Sequence, residues 1–149
     1  MNLLPSSRFR RLALLAAVAG LAWFLLRVFD SDRALLLRQK ELIEWAREGA
    51  PSDFPDFAAP DYHDQWGHTP LDVAANVRAV RLAHPGLTIT DGPRRIERDG
   101  DTAVITQHLT VTGTGTGEHI AHDFHFIWHK ESLWPWSWKL REVTAPGLN

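Results

Sequence analysis

Cysteine is absent from this 149-residue chain, so disulfide bonds and thiolate chemistry are both excluded. A basic excess is missing as well, because 16 lysines and arginines stand against 18 aspartates and glutamates, for a formal net charge of −2. Phosphate backbones attract proteins with an excess of positive charge, so we expect no nucleic-acid partner. The length suits one domain, and a hydrophobic share of 44% argues against a disordered chain.

Charged residues are also missing from one long stretch near the N-terminus, the apolar run from Leu12 to Leu26. With the three residues that follow, it amounts to about 18 residues, or roughly 27 Å of helix, near the lower limit for crossing a bilayer. The alternatives are a cleaved signal peptide and a buried core helix. We interpret residues 1–30 as a cytoplasmic tail and an uncleaved transmembrane anchor. Residues 31–149 are then expected on the outer or periplasmic side of the inner (plasma) membrane.

Two helices are predicted between this run and the second half of the chain. The first carries Leu35, Leu42 and Ala46 on one face at helical spacing. The second begins at Thr69, where a threonine, a proline and an aspartate three positions on form a capping-box pattern, and it stops before Pro85. Both helices therefore have an apolar face to bury.

Between the two helices, residues 51–70 contain four prolines, which deny this segment a long helix or a central strand. Four aromatic residues in the same segment argue against a solvated linker. We therefore expect a loop that packs over the core. His63, Asp64 and His68 also lie here, and we interpret them as exposed polar residues of this loop.

From residue 87 onward the periodicity changes to the two-residue alternation of β-strands. Strands are predicted near Leu87–Thr90 with a resumption at Arg94–Glu97, and near Thr102–Thr112, Glu118–Lys130 and Trp136–Val143. Turns with glycine, such as "RDGD" and "TGTGTG", join them as hairpins. The predicted fold class is α+β, with an N-terminal transmembrane helix and then helices packed on a bent antiparallel sheet of about four strands.

Histidine is concentrated in the third predicted strand, where "HIAHDFHFIWHK" holds four histidines in twelve residues. Alternation puts His119, His125 and His129 on the polar face of the sheet. They lie about 6.8 Å or more apart along the strand, so they are not all near neighbours. The best triplet is Asp123 with His125 and, across the hairpin, His108, whereas structural zinc usually has four convergent ligands. We therefore predict no metal site, and we expect no cofactor.

His122 is the one histidine of this strand that is aimed at the apolar face. A turn centred on Thr114–Gly115 places Gln107 opposite His122, and a turn shifted by one residue places Leu109 there instead. One interpretation is a core histidine that is hydrogen-bonded to Gln107 or to a backbone carbonyl. The other is that both side chains line a cavity between the sheet and the helices. Three aromatic residues would then form its walls: Phe124, Trp128 and Trp138.

The order of helices, proline-rich segment and closing sheet resembles the nuclear-transport-factor-two-like, or cystatin-like, cone. The hairpin "DGDTAVITQHLTVTGTG" and the closing "WSWKLREV" carry most of the resemblance, which covers roughly Ser31 to Thr144. For residues 31–149 the resemblance implies a sheet wrapped around a helix, with an apolar pocket inside. Ketosteroid isomerases and polyketide cyclases of that family use such pockets with an Asp or His base. Many other members are non-catalytic binding or assembly modules.

The apolar faces of the predicted middle strands carry no carboxylate, in which this chain departs from those enzymes. We therefore expect a membrane-anchored, non-catalytic domain outside the cytoplasm that binds a small apolar ligand or a protein partner. The ligand-binding residues would be Gln107, His122, Phe124, Trp128 and Trp138. The alternative is an isomerase, cyclase or lyase with His122 as general base. The resemblance implies that a protein partner or a second copy would bind at the polar sheet face.

Overall fold

The computed structural model describes residues 7–28, 31–49, 54–113 and 119–148. In this part of the chain, three helices, one strand and a fourth helix come before a run of four strands that closes the fold. Their bounds in chain order are α1 (Ser7–Val28), α2 (Ser31–Glu48), α3 (Phe54–Phe57), β1 (Ala58–Asp64), α4 (Pro70–Ala83), β2 (Thr88–Asp99), β3 (Thr102–Thr112), β4 (His119–Lys130) and β5 (Trp138–Thr144).

The five strands form one sheet in the order β1-β5-β4-β3-β2. β1 runs parallel to β5, and every other neighbouring pair is antiparallel. The register shifts between Asp91 and Arg94 and again between Ile127 and Trp128. Such irregularities bend a strand and increase its twist. Helices packed on an antiparallel sheet are thus confirmed, but the sheet has five strands where four are expected from the sequence.

The additional strand, β1, lies in the proline-rich segment for which the sequence predicts a packed loop. Pro60 is compatible with β1 because this strand is at the edge of the sheet, where one row of backbone N–H groups has no strand partner. Three of the four aromatic residues of the segment pack on the core, as expected, whereas Trp66 is exposed. Phe54, Phe57 and Tyr62 are buried, and the rings of Phe54 and Tyr62 meet edge to face at 5.4 Å.

The core lies between α2 and the inner face of the sheet. α2 buries Leu35, Leu42 and Ile43, which follow one another at helical spacing. The strands oppose them with apolar side chains that are fully removed from water: Ala103, Ile105, Trp128, Trp138 and Leu140. Burial of one face of each element is what stabilises this two-layer arrangement.

A chain of polar side chains crosses this apolar core. Gln39 Nε2 donates a hydrogen bond to Gln107 Oε1 over 2.9 Å, and Trp128 Nε1 donates to Gln39 Oε1 over 2.9 Å. All three residues are buried, so these bonds replace the water that each group loses on folding. The network ties α2 to β3 and β4 at fixed positions.

The β3–β4 hairpin adopts the second of the two registers considered above. Leu109 lies opposite His122, and Gln107 lies opposite Phe124. The turn between these strands, residues 114–118, falls outside the described residues. The preceding turn of "RDGD" has Gly100 at a φ of 58°, which confirms the predicted use of glycine at positive φ.

α1 occupies the apolar run near the N-terminus, and residues 12–25 are all exposed. Within the described residues, none of the helices combines the length and apolar character needed to cross a membrane. The transmembrane helix of the predicted architecture is therefore not supported by the structure.

Candidate functional site

A cavity of about 220 Å³ lies between the helices and the inner face of the sheet. Most of its wall is apolar, with contributions from α2, α4 and the sheet: Ile43, Val77, Leu109, Phe126 and Leu140 are among the lining residues. Pockets for drug-sized ligands measure about 300–1,000 Å³. This cavity therefore fits a smaller molecule that is largely apolar.

The wall also carries two polar side chains of β1, Tyr62 and Asp64. They are two residues apart, so the alternation of the strand turns both towards the same side. Burial, and after it the negative charge of Asp64, raises the pKa of the Tyr62 hydroxyl above its usual value. The hydroxyl is protonated at neutral pH, as in any tyrosine, and the shift keeps it protonated in more alkaline solution, so that it can donate a hydrogen bond.

Asp64 holds the turn that leads from β1 to α4. Its Oδ1 accepts hydrogen bonds from the backbone nitrogens of Trp66 and His68, at 3.0 and 2.8 Å. Its Oδ2 lies 2.9 Å from Nδ1 of the His68 ring. A carboxylate in this position orients an imidazole and leaves its Nε2 atom as the nitrogen that can exchange a proton.

The prediction that Asp64 is an exposed loop residue is wrong, because only 4% of its side chain is accessible, whereas 39% of the His68 side chain is accessible. The role of Asp64 in the turn could have been predicted from the local sequence. Asp64 lies three residues before Gly67, which has a φ of 79°, and aspartate side chains commonly hydrogen-bond to the backbone of such turns. The burial of Asp64, however, depends on the pairing of β1 with β5, and the prolines of this segment argued against a strand there.

Trp45 is a further lining residue of the cavity with a polar atom in its side chain. Its indole Nε1 is buried and has no hydrogen-bond partner among the described residues. A buried donor without an acceptor is costly in free energy. Trp45 also borders a separate cleft between α2 and α3, beside Arg38 and Asp56.

Of the five ligand-binding residues expected from the sequence, Phe124 lines the cavity. Gln107 is bonded to Gln39 and borders a different cleft, next to Arg47 and Asp91. Trp128 and Trp138 are fully buried in the core.

His122 is half-buried and lies outside the cavity wall. Its Nε2 atom is 2.8 Å from the carbonyl oxygen of Pro146, near the C-terminus. It borders a shallow cleft together with His108, Asp123 and His125. The inward-facing residues of β4 are therefore exposed near the N-terminal end of the strand and buried further along it, since Ile120 is exposed while Phe126 is buried.

The polar sheet face holds the remaining histidines of β4. His108 Nδ1 lies 2.7 Å from Asp123 Oδ1 across the hairpin, and both side chains are exposed. In the part of the chain that the structure describes, no group of three or more histidines and carboxylates is arranged to hold a metal ion.

No family model matches the sequence, and no curated protein matches it. Solved structures of similar fold exist. The CaMKII hub of S. rosetta has a TM-score of 0.64 at 18% identity, covering 78% of this chain and 95% of that one. A Shewanella frigidimarina protein, named provisionally as a ketosteroid isomerase, has a TM-score of 0.63 at 19% identity, covering 78% of this chain and 97% of its own.

An NTF2-like protein from Cytophaga hutchinsonii has a TM-score of 0.62 at 13% identity, covering 78% of this chain and 98% of that protein. At such identities the likeness shows the fold alone. The chain accordingly has the NTF2-like, or cystatin-like, cone fold that its sequence resembles. Proteins with this fold differ in function, so the function has to be argued from the cavity itself.

Proposed function

We propose that this protein is a cone domain that binds a small, largely apolar ligand in the cavity beside Tyr62 and Asp64. The observation that carries the proposal is the composition of the wall, in which apolar side chains surround a few buried polar groups. Apolar area supplies the affinity in such sites, and a small number of polar groups orients the ligand.

The polar groups restrict the ligand further. The protonated Tyr62 hydroxyl and the unpartnered Trp45 indole are both hydrogen-bond donors. A ligand that presents a carbonyl or ether oxygen to them satisfies donors that are otherwise buried. A carboxylate ligand is disfavoured because Asp64 adds a negative charge to the same wall.

Binding of the neutral fluorescent probe N-phenyl-1-naphthylamine tests the proposal. Replacing Leu109 with Trp fills the cavity and should weaken probe binding roughly tenfold or more, which corresponds to about 1.4 kcal/mol. The matched control is Leu82→Trp, because Leu82 is exposed on α4 and does not line the cavity. Both variants keep the exposed helix α1, so probe bound there contributes equally to both. The difference in probe binding between the variants therefore reports on the cavity.

Equal probe binding by Leu109→Trp and Leu82→Trp would overturn the cavity as the site. Thermal unfolding of both variants shows whether each still folds. Should Leu109→Trp fail to fold, Val77→Phe occupies the same cavity from the opposite wall with a smaller change in volume.

An isomerase or lyase is the second candidate, and the pairing of His68 with the buried Asp64 beside Tyr62 is the observation that favours it. Neither His68 nor His122 lines the cavity, but His68 is the expected base because its ring is bonded to Asp64 of the cavity wall, whereas His122 is bonded to the Pro146 carbonyl oxygen. Exchange of the α-hydrogens of cyclohexanone with solvent deuterium, followed by NMR, tests this candidate. Accelerated exchange that is lost in His68→Gln supports an enzyme. If wild type does not accelerate exchange, the isomerase candidate fails and the ligand-binding proposal stands.

We also propose that α1 holds the domain at a lipid bilayer, on the outer or periplasmic side of the inner membrane. Residues 12–25 carry no charge and are all exposed, so within the described residues the rest of the domain does not cover this apolar helix. The full-length chain should float with lipid vesicles in a density gradient. Protease added to intact spheroplasts should digest residues 31–149, and full protection would contradict the orientation.

A further inference from the structure

The connection between β4 and β5 displays large apolar side chains on the surface. Leu133 is 91% exposed, Trp134 is 55% exposed and Trp136 is 57% exposed. The two indole rings stack, with centroids 5.6 Å apart. Scattered apolar residues are normal on a protein surface, but three in four consecutive positions form a contiguous exposed patch of the kind that marks an interaction site.

Hydrogen bonds hold this loop in one conformation. The Ser137 hydroxyl lies 2.9 Å from the Ser132 carbonyl oxygen and 2.7 Å from that of Trp134, and it accepts a bond from the Ser132 nitrogen over 3.1 Å. Pro135, between the two tryptophans, is fully buried. The exposed side chains are therefore presented by an ordered loop, so binding a partner costs little additional ordering.

The loop lies at the end of the domain where α1 joins it. Trp138, one residue beyond the loop, donates from its indole Nε1 to the carbonyl oxygen of Ser31 over 3.1 Å. Ser31 begins α2, and α1 ends at Val28. Three residues of chain reach at most about 11 Å, so the end of the apolar helix must be close to this loop.

We propose that Leu133, Trp134 and Trp136 insert into the headgroup region of a lipid bilayer and set the orientation of the domain on it. The proposal rests on the membrane location proposed for α1. Tryptophan is the residue type that concentrates at membrane interfaces, because its ring is apolar while its N–H can bond to the wet side. A loop of this composition beside the emerging apolar helix meets the bilayer that the helix enters.

Charges near the loop are balanced. Lys130 and the oppositely charged Glu131 precede the loop in the chain, and Arg98 at this end of the sheet forms an ion pair with Asp32, the neighbour of Ser31. The contact is consequently apolar in origin and needs no anionic lipid. It should be unaffected by about 0.5 M salt, which screens exposed charges over a few ångströms.

The test uses the full-length chain with phosphatidylcholine vesicles whose acyl chains carry bromine, a quencher of tryptophan emission. Wild type is compared with the double variant Trp134→Phe/Trp136→Phe, which keeps apolar rings in the loop but removes their emission. Quenched emission should fall by about two thirds, because Trp23 of α1 is then the one remaining tryptophan expected at the lipid. Both chains should still float with the vesicles.

Two further outcomes separate this inference from the location of α1. Flotation without a fall in quenched emission would leave α1 as the anchor and overturn the loop contact. Failure of wild type to float would overturn both. The matched pair Leu133→Ser and Leu82→Ser tests whether a second copy of the chain, rather than lipid, covers the patch. Loss of self-association by Leu133→Ser alone, in detergent and without lipid quenching, would assign the patch to a second copy of the chain.

Leu82 is a suitable control because it is also highly exposed but lies at the other end of the domain. Its neighbour Arg81 donates to the carbonyl oxygen of Ala46 over 3.1 Å, near the C-terminal end of α2, whereas the loop adjoins the N-terminal end at Ser31.

Discussion

Tyr62 is the only tyrosine in the chain, so its ionisation can be followed directly by tyrosinate absorbance. Because burial and the charge of Asp64 raise its pKa, the folded protein should show no tyrosinate midpoint near pH 10, and the denatured protein should show one there. A native midpoint near pH 10 would mean that the hydroxyl is in water and does not belong to the cavity wall.

The same shift predicts a pH dependence of stability. A raised folded-state pKa means that the folded chain holds its proton when the unfolded chain has lost it. The contribution of Tyr62 is therefore fully present below about pH 10 and is lost as the pH rises further. Urea unfolding at about pH 9 and pH 11 should show a steeper loss for wild type than for Tyr62→Phe.

Gln39 is the residue on which the buried polar network depends, because it bonds both Gln107 and Trp128. Gln39→Leu leaves both of those groups without a partner in the core. We expect a loss of at least about 1–3 kcal/mol in the free energy of unfolding, measured with urea. The control His122→Leu removes one bond at a half-buried position and should cost no more than about 1 kcal/mol.

Equal effects of Gln39→Leu and His122→Leu would show that the network contributes no more than a surface contact. The contrast also shows what the sequence could reveal about single residues. That Gln107 requires a buried partner followed from its apolar strand face, but the identity of that partner did not. Gln39 lies 68 residues away, on a helix whose docking position is set by packing.

At the scale of single elements, the start of α4 is determined by a few neighbouring residues. Thr69 caps the helix, with its side chain accepting from the Asp72 nitrogen and the Asp72 carboxylate accepting from the Thr69 nitrogen. Thr69→Ala should lower the free energy of unfolding by about 1 kcal/mol, and Thr69→Ser should retain most of it. Identical urea midpoints for the two variants would contradict a role of the hydroxyl.

β1 is the element that local chemistry did not predict. Its sequence lacks the alternation of the later strands, and its parallel partner β5 lies some 80 residues further along the chain: Asp64 pairs with Val143. Parallel pairing of this kind is specified by the surrounding packing rather than by a turn. The burial of Tyr62 and Asp64, and with it the polar side of the candidate site, follows from that pairing.

At the scale of the whole molecule, we propose that a second copy of the chain binds at the polar, outer face of the sheet. Val104 and Ile127 pair across β3 and β4 there, and both of these apolar side chains are half-buried. Ile127→Glu would place like charges across a twofold interface and should shift the chain towards monomer in detergent. Leu71→Glu, on the exposed side of α4, is the control.

Sedimentation of the two variants beside wild type measures this effect. A wild-type chain that is monomeric at high concentration would rule out the outer face as a self-association surface, as would equal shifts by Ile127→Glu and Leu71→Glu.

The sequence by itself determined the α+β class, the span of Thr102–Thr112 as a strand, the start of α4 and the pairing alternatives of the β3–β4 hairpin, because periodicity, caps and turn residues act over a few positions. Only the tertiary structure decided which side chains meet the cavity. His122 follows the alternation of an inward row yet reaches solvent, while Asp64 lies in a proline-rich segment yet is buried. Burial at the ends of a bent sheet depends on which distant helix or edge strand covers it, and no local pattern carries that information.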